Sequence, residues 1–324
     1  MRTLAVALAL LAAASASTAG TLPPVYVTQW GTMGSGNGQF QTPHGIVANA
    51  AGDLYVADAQ NHRIQKFTGA GAFLTSWGSA AADSGDGEFN SPTWAAIDGT
   101  GDVYVVDVAN NRVQRFTGTG TYLSQWGSCC SGPILFNHPF GIATGPAGDV
   151  YVSDTFNHRI RKFTGAGAPV TQWGSRGGAA GQFNYPTGMV VTAAGDLYVA
   201  DLENHRIQMF TGDGTFLTQW GTRGNGDGQF VDPFGIALDA AGNVYVTDYG
   251  NHRMQKFTGS GAYLTKWGTQ GSGDGQFVAP IGVAVDADGN IYVADSGNHR
   301  IQKFAPDQTP AVSSSWGRLK NLYR

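Results

Sequence analysis

Charge is scarce in this chain. Only 13% of its 324 residues are Asp, Glu, Lys or Arg, against roughly a quarter in an ordinary globular protein. The formal balance is −4 at pH 7, so the basic field that phosphate binding needs is missing and nucleic acid is not expected as a partner. Long apolar runs are also rare. Leu4 to Ala14 is unbroken, but no later stretch approaches the ~20 residues that cross a bilayer. Cysteine is confined to the adjacent pair Cys129 and Cys130, so the C-x-x-C redox motif is absent. No apolar period of 3.6 residues survives between turns, which argues against helices. A nucleophile–base pair, an acidic dyad and a three-ligand metal set are missing too.

What is present begins with an export signal at residues 1–19. Arg2 supplies the positive start, the apolar stretch follows, and small residues offer cleavage after Ala16 or Ala19. Its removal would leave a secreted or periplasmic protein with no membrane-inserted segment. Residues 20–306 would form the folded body. The tail 307–324, ending WGRLKNLYR, turns basic and aromatic.

The body is periodic. A proline recurs at Pro43, Pro92, Pro139, Pro186, Pro233 and Pro280, spaced by 49 and then by 47 residues. In phase with it come Asp58, Asp107, Asp154, Asp201, Asp248 and Asp295, each followed by an Asn-x-Arg element. Such a period means one supersecondary unit repeated. The fifth copy reads as four short strands, GIALD, NVYVTD, RMQKFT and YLTKWG, rich in β-branched and aromatic residues and punctuated by glycine turns. Four-stranded units of this length in tandem predict an all-β, six-bladed β-propeller of four-stranded antiparallel blades.

The run PFGIALDAAGNVYVTDYGNHRMQKF, in six in-phase copies over roughly residues 25–304, resembles the NHL repeat. The resemblance implies a six-bladed propeller whose b–c and d–a loops share one face, usually the binding face. Closure is legible at the ends: VYVTQWG (25–31) matches a fourth strand, and the sixth repeat lacks its own. The N-terminal strand is therefore predicted to close the last blade, with AVSSSWG (311–317) as the rival.

Most polar repeats read as structure. Asp and Asn bond nearby amides in turns, and reaction chemistry rarely needs six copies. His62, His158, His205, His252 and His299 invite a metal. They would lie on third strands, roughly 15 Å from the axis at ~4.8 Å per strand, too far apart to share an ion. Asp86, Asp227 and Asp274 in the Gly-rich d–a loops offer one carboxylate each, too few for calcium. The exceptions to the repeat carry more information. His44 and His138 break the pattern, and some NHL-like lyases hold zinc through inner-strand histidines. Residues after each repeat proline would line the channel mouth: His44, Thr93, Phe140, Thr187, Phe234 and Ile281. Trp94 replaces a repeat glycine, and the rim before the Asn-x-Arg element adds Phe156, Glu203 and Tyr249. Such a ring either packs shut or forms a ligand pocket. Cys129 and Cys130 would form a local disulfide, with pairing between chains as the alternative.

The expected function is an exported, non-catalytic, monomeric module without cofactor or metal, binding a protein, peptide or glycan on its loop-bearing face. The channel-mouth residues His44, Trp94, Phe140, Thr187, Phe234 and Ile281, with rim residues His138, Phe156 and Tyr249, are the candidate ligand site. The alternative is a metal-assisted lyase or hydrolase at the same mouth.

Overall fold

The computed structural model describes residues 21–79, 81–128 and 135–306. The export signal, the Cys129–Cys130 pair, the rival closing strand and the tail all lie outside the described residues. Six antiparallel sheets of four strands each form the blades. Named a to d outward, the strands of blade 1 are Pro43–Ala48, Leu54–Asp58, Arg63–Phe67 and Phe73–Gly78. Strand b is buried along its whole length in every blade, because each sheet is sandwiched between two others. This is why LYVAD and VYVTD carry apolar residues on both faces.

Blade 6 contains Pro280–Val285, Ile291–Asp295 and Arg300–Ala305, and its outer strand is Val25–Trp30. That N-terminal strand pairs antiparallel with Arg300–Ala305, from Val25 against Ala305 to Trp30 against Ile301. The ring is closed by the start of the chain.

Inner strands of neighbouring blades touch all the way round. Glycine makes this approach possible. A Cβ at Gly141, Gly188 or Gly282 would stand 2.1–2.3 Å from a carbonyl oxygen of the next blade. Blade 2 has Trp94 at this level, and its Cα would lie 2.8 Å from a Cβ on Gly45.

The six buried aspartates tie the loops of one face together. Asp201 accepts hydrogen bonds from the Asn184 amide (2.7 Å), Asn204 (2.9 Å), Arg206 (2.8 Å) and Gln208 (3.0 Å). Arg206 then donates to the carbonyls of Gly178, Ala179 and Gln182 in the d–a loop. The five repeat histidines sit at φ of 52–54° after the b–c turn. Each Nδ1 accepts the amide N–H that precedes the next blade's proline, as His62 does from Ser91 at 3.1 Å. Asn111 serves blade 2 through Oδ1, accepting from the His138 amide at 2.7 Å. These histidines staple blade to blade and hold the loop-bearing face rigid.

Candidate binding face

The residues that depart from the repeat fall in two places. The first is the channel mouth, which is packed. Thr93, Thr187 and Ile281 are buried, and the threonine hydroxyls donate to the carbonyls of Phe140 and Phe234. His44 stacks on Phe140 across the ring (centroids 5.7 Å), and Phe140 meets Phe234 edge-on at 5.0 Å. Tyr249 packs inward on Phe234 at 5.5 Å. The Trp94 indole reaches across from blade 2 to blade 5, where a Cβ on Gly235 would be 3.1 Å from its Cη2. One side chain thus spans the axis at the level of five glycines. On the far side of this plug lies a cavity of about 170 Å³, lined by Ile46, Ile142, Met189, Ile236, Val283 and their neighbours along the inner strands.

His44 is half-buried, and its Nδ1 is sealed from solvent with no hydrogen-bond partner among the described residues. Burial pushes its pKa down to about 4, so the imidazole is neutral at pH 7. The unfolded chain takes up a proton near pH 6.5 that the folded chain refuses. Stability is therefore full above that value and declines as the pH falls toward 4, by up to about 3 kcal/mol. Denaturant midpoints of wild type and His44→Leu should diverge over this interval, the variant falling less steeply. Parallel pH profiles would show that His44 does not carry the loss.

The second place is the rim of blades 3 and 4, where His138 and Phe156 are exposed and Tyr185 is half-buried. His138, at φ 48°, is exposed and stands 4.7 Å from the ring of Phe156. Phe156 is 49% exposed and meets Tyr185 edge-on at 5.1 Å. Tyr185 in turn meets His158 at 4.7 Å. Burial, and then the charge of Arg176, lower the His158 pKa. Leu135, another exposed apolar residue, shares a hollow with Asn111, Asn137, His138, Asn157 and Arg159.

His44 and His138 are thus not neighbours: one belongs to the plug, the other to the rim. Among the described residues no three His, Cys, Asp or Glu side chains come together as metal ligands. The loop carboxylates are engaged locally, Asp86 with Gln125 and Asp227 with Lys266. Tyr185 is the site residue that sequence reasoning missed. Its signal was available, since the position before the repeat proline is aromatic in blade 4 but Thr, Ser, Asp or Ala in blades 1, 2, 5 and 6.

The NHL repeat model matches residues 40–67, 89–116, 136–163, 183–210, 230–257 and 277–304. Among curated proteins, the B-box type zinc finger protein ncl-1 of Caenorhabditis elegans is 45% identical over 49 residues, 15% of this chain. Protein brain tumor of Drosophila melanogaster is 43% identical over 54 residues, 17% of this chain. The matched segments span only 6% and 5% of those proteins. Among solved structures, a virginiamycin B lyase from Staphylococcus aureus superposes with a TM-score of 0.59 at 17% identity, over 82% of this chain and 95% of that one. A gluconolactonase from Xanthomonas campestris gives 0.63 at 14% identity, over 88% and 98%. A chain of a nidogen/laminin complex gives 0.54 at 18% identity, over 70% and 80%. At such identities the likeness is one of fold. Six matched repeats and six matching blades lead to one statement: the chain belongs to the NHL-repeat family.

Proposed function

We propose that this protein is an exported, non-catalytic propeller that binds a protein or peptide on its loop-bearing face, at the rim of blades 3 and 4. The observation that carries this reading is the aromatic cluster in which exposed His138 and Phe156 pack beside half-buried Tyr185. Elsewhere the repeat spends its aromatic residues on the core, and the rim position of Phe156 is Gln, Ala, Glu or Gly in the other blades. An exposed apolar group framed by polar side chains on a rigid scaffold is the usual composition of a recognition surface. Aromatic residues at such places carry a large share of binding energy. The packed mouth favours binding over a reaction within it, because His44, Trp94, Phe140 and Phe234 are already spent on one another.

The test is to probe peptide and glycan arrays with the purified protein and its variants. Phe156→Ala should weaken the strongest peptide ligand by about tenfold or more, the loss of roughly 1.4 kcal/mol. Leu217→Ala, exposed on an outer strand, should bind as wild type does. A ligand indifferent to Phe156, or glycans retained where peptides are not, would refute this assignment.

A further inference from the structure

Five of the six blade seams on the loop-bearing face are closed by an imidazole. Nδ1 of His299, His62, His158, His205 and His252 accepts the amide N–H of Thr42, Ser91, Tyr185, Asp232 and Ala279 at 3.0–3.2 Å. Nδ1 accepts only while it carries no proton; an imidazolium would set donor against donor. The sixth seam, between blades 2 and 3, uses Asn111 Oδ1 on the His138 amide, an acceptor that does not titrate. The candidate binding face lies where the two kinds of seam meet. One side holds His138 through a side-chain amide, and the other holds Tyr185 through His158.

The His158 seam is built to yield. Tyr185 stands at φ 57°, a left-handed backbone that a bulky residue keeps only when its surroundings enforce it. It is the largest of the six residues at this position, the others being Thr42, Ser91, His138, Asp232 and Ala279. The bond from its N–H to His158 is part of that enforcement. Charged groups reach His158 from each element around it. From the loop 174–185, Arg176 opposes a proton on the imidazole; from blade 4, Asp201 favours one. Asp201 is already held by Arg206, however, and Asp154 on the same blade as His158 is held by Arg159. Glu203 of the blade 4 turn lies close by, its N–H on the Asn184 carbonyl. Burial and then Arg176 lower the His158 pKa, so the bond is intact above the ordinary imidazole value of about 6.5 and is lost below it.

We infer that acid opens the binding face: a proton on His158 releases the Tyr185 amide, lets Tyr185 leave its left-handed backbone, and takes apart the Phe156–Tyr185 pair that a peptide would meet. The face then binds at neutral pH and lets go in acid, while Asn111 keeps the neighbouring edge in place. The Phe156 and Tyr185 rings touch at 5.1 Å, and Tyr185 also meets the His158 ring at 4.7 Å, so a shift of this one residue reaches both. This inference rests on the binding face proposed above and specifies how that face is regulated.

The decisive variant is His158→Asn, which copies the acceptor of the seam between blades 2 and 3 and cannot titrate. It leaves in place His138, the other rim group that gains charge in acid. Residue-resolved amide exchange, expressed as protection so that the intrinsic pH dependence cancels, is compared at pH 7.5 and 5.0. His44, with a pKa of about 4, is still mostly neutral at the lower value. In wild type the Tyr185 amide should lose about tenfold in protection while the His138 amide keeps its own; in His158→Asn both should hold. The peptide array, read at the same two pH values, should lose its Phe156-dependent signals at pH 5.0 in wild type and retain them in His158→Asn. Tyr185 protection that ignores pH, or falls equally at His138, overturns the inference from wild type alone, whether or not the variant folds. Equal losses in wild type and variant, or Phe156-dependent binding that persists in wild type at pH 5.0, overturn it as well. No Phe156-dependent peptide at pH 7.5, with Tyr185 still released in acid, removes the binding face and upholds the His158 latch.

Discussion

Removal of residues 20–31 should cost this protein its cooperative stability. The deleted segment carries the outer strand of blade 6, whose pairing with Arg300–Ala305 joins the two ends of the described chain. It also carries Trp30, which packs on Phe67 at 6.1 Å and on Tyr292 at 6.3 Å, bridging blades 1 and 6. Losing this half-buried indole costs part of the about 3–5 kcal/mol that a fully buried one does, and the lost strand pairing adds to it. The exposed edge of strand Arg300–Ala305 adds unpaired backbone and a template for aggregation. At ~2–4 °C per kcal/mol for a domain of this size class, the melting temperature should drop by about 10 °C or more. Trp30→Ala supplies a milder version that keeps the strand. An unchanged melting curve on deletion would mean that the ring is held shut by something else.

The second large effect is expected at the buried aspartates. Burial pushes the Asp201 carboxyl pKa up, and the Asn184 amide, Asn204 and Arg206 only partly oppose it. The hub is therefore costly to bury and is held by its partners. Asp201→Ala would leave Arg206 buried beside Asn204 and Gln208 with no counter-charge. Breaking one side of such a pair typically costs about 3–5 kcal/mol, and the d–a loop of blade 4 should loosen with it, because Arg206 holds three of its carbonyls. Equilibrium denaturation should show the loss, and hydrogen exchange should place it at residues 177–185. Asp227→Ala, which removes an exposed pairing with Lys266, should leave the midpoint where it is. Equal effects of the two substitutions would contradict the hub.

Both predictions concern features that repeat, and repetition is why they were readable from sequence. Six in-phase Asp, Asn and Arg positions identified the blade, and the unmatched fourth strand at residues 25–31 identified the closure. The assignment of the repeat histidines to structure was also available, since third strands cannot converge on the axis. Their actual work was not. That His62 accepts the Ser91 amide of the following blade depends on the angle between sheets, and no spacing along the chain encodes that angle.

The exceptions behaved differently. His44, Trp94, Phe140, Phe234 and His138 were all legible as departures from the repeat, yet a departure states only that a position is special. Tertiary structure sorted them, sending Trp94 across the axis to Gly235 and leaving His138 at the rim beside Phe156. It also added Tyr185, whose only signal along the chain is an aromatic at a position that is small or polar in blades 1, 2, 5 and 6. The sequence alone determined the strands, their number per blade, the ring and its closure, because local periodicity and pairing are written in residue order. Only the tertiary structure decided which exceptional side chains fill the channel and which face solvent, because that choice depends on contacts between blades separated by one to three repeats.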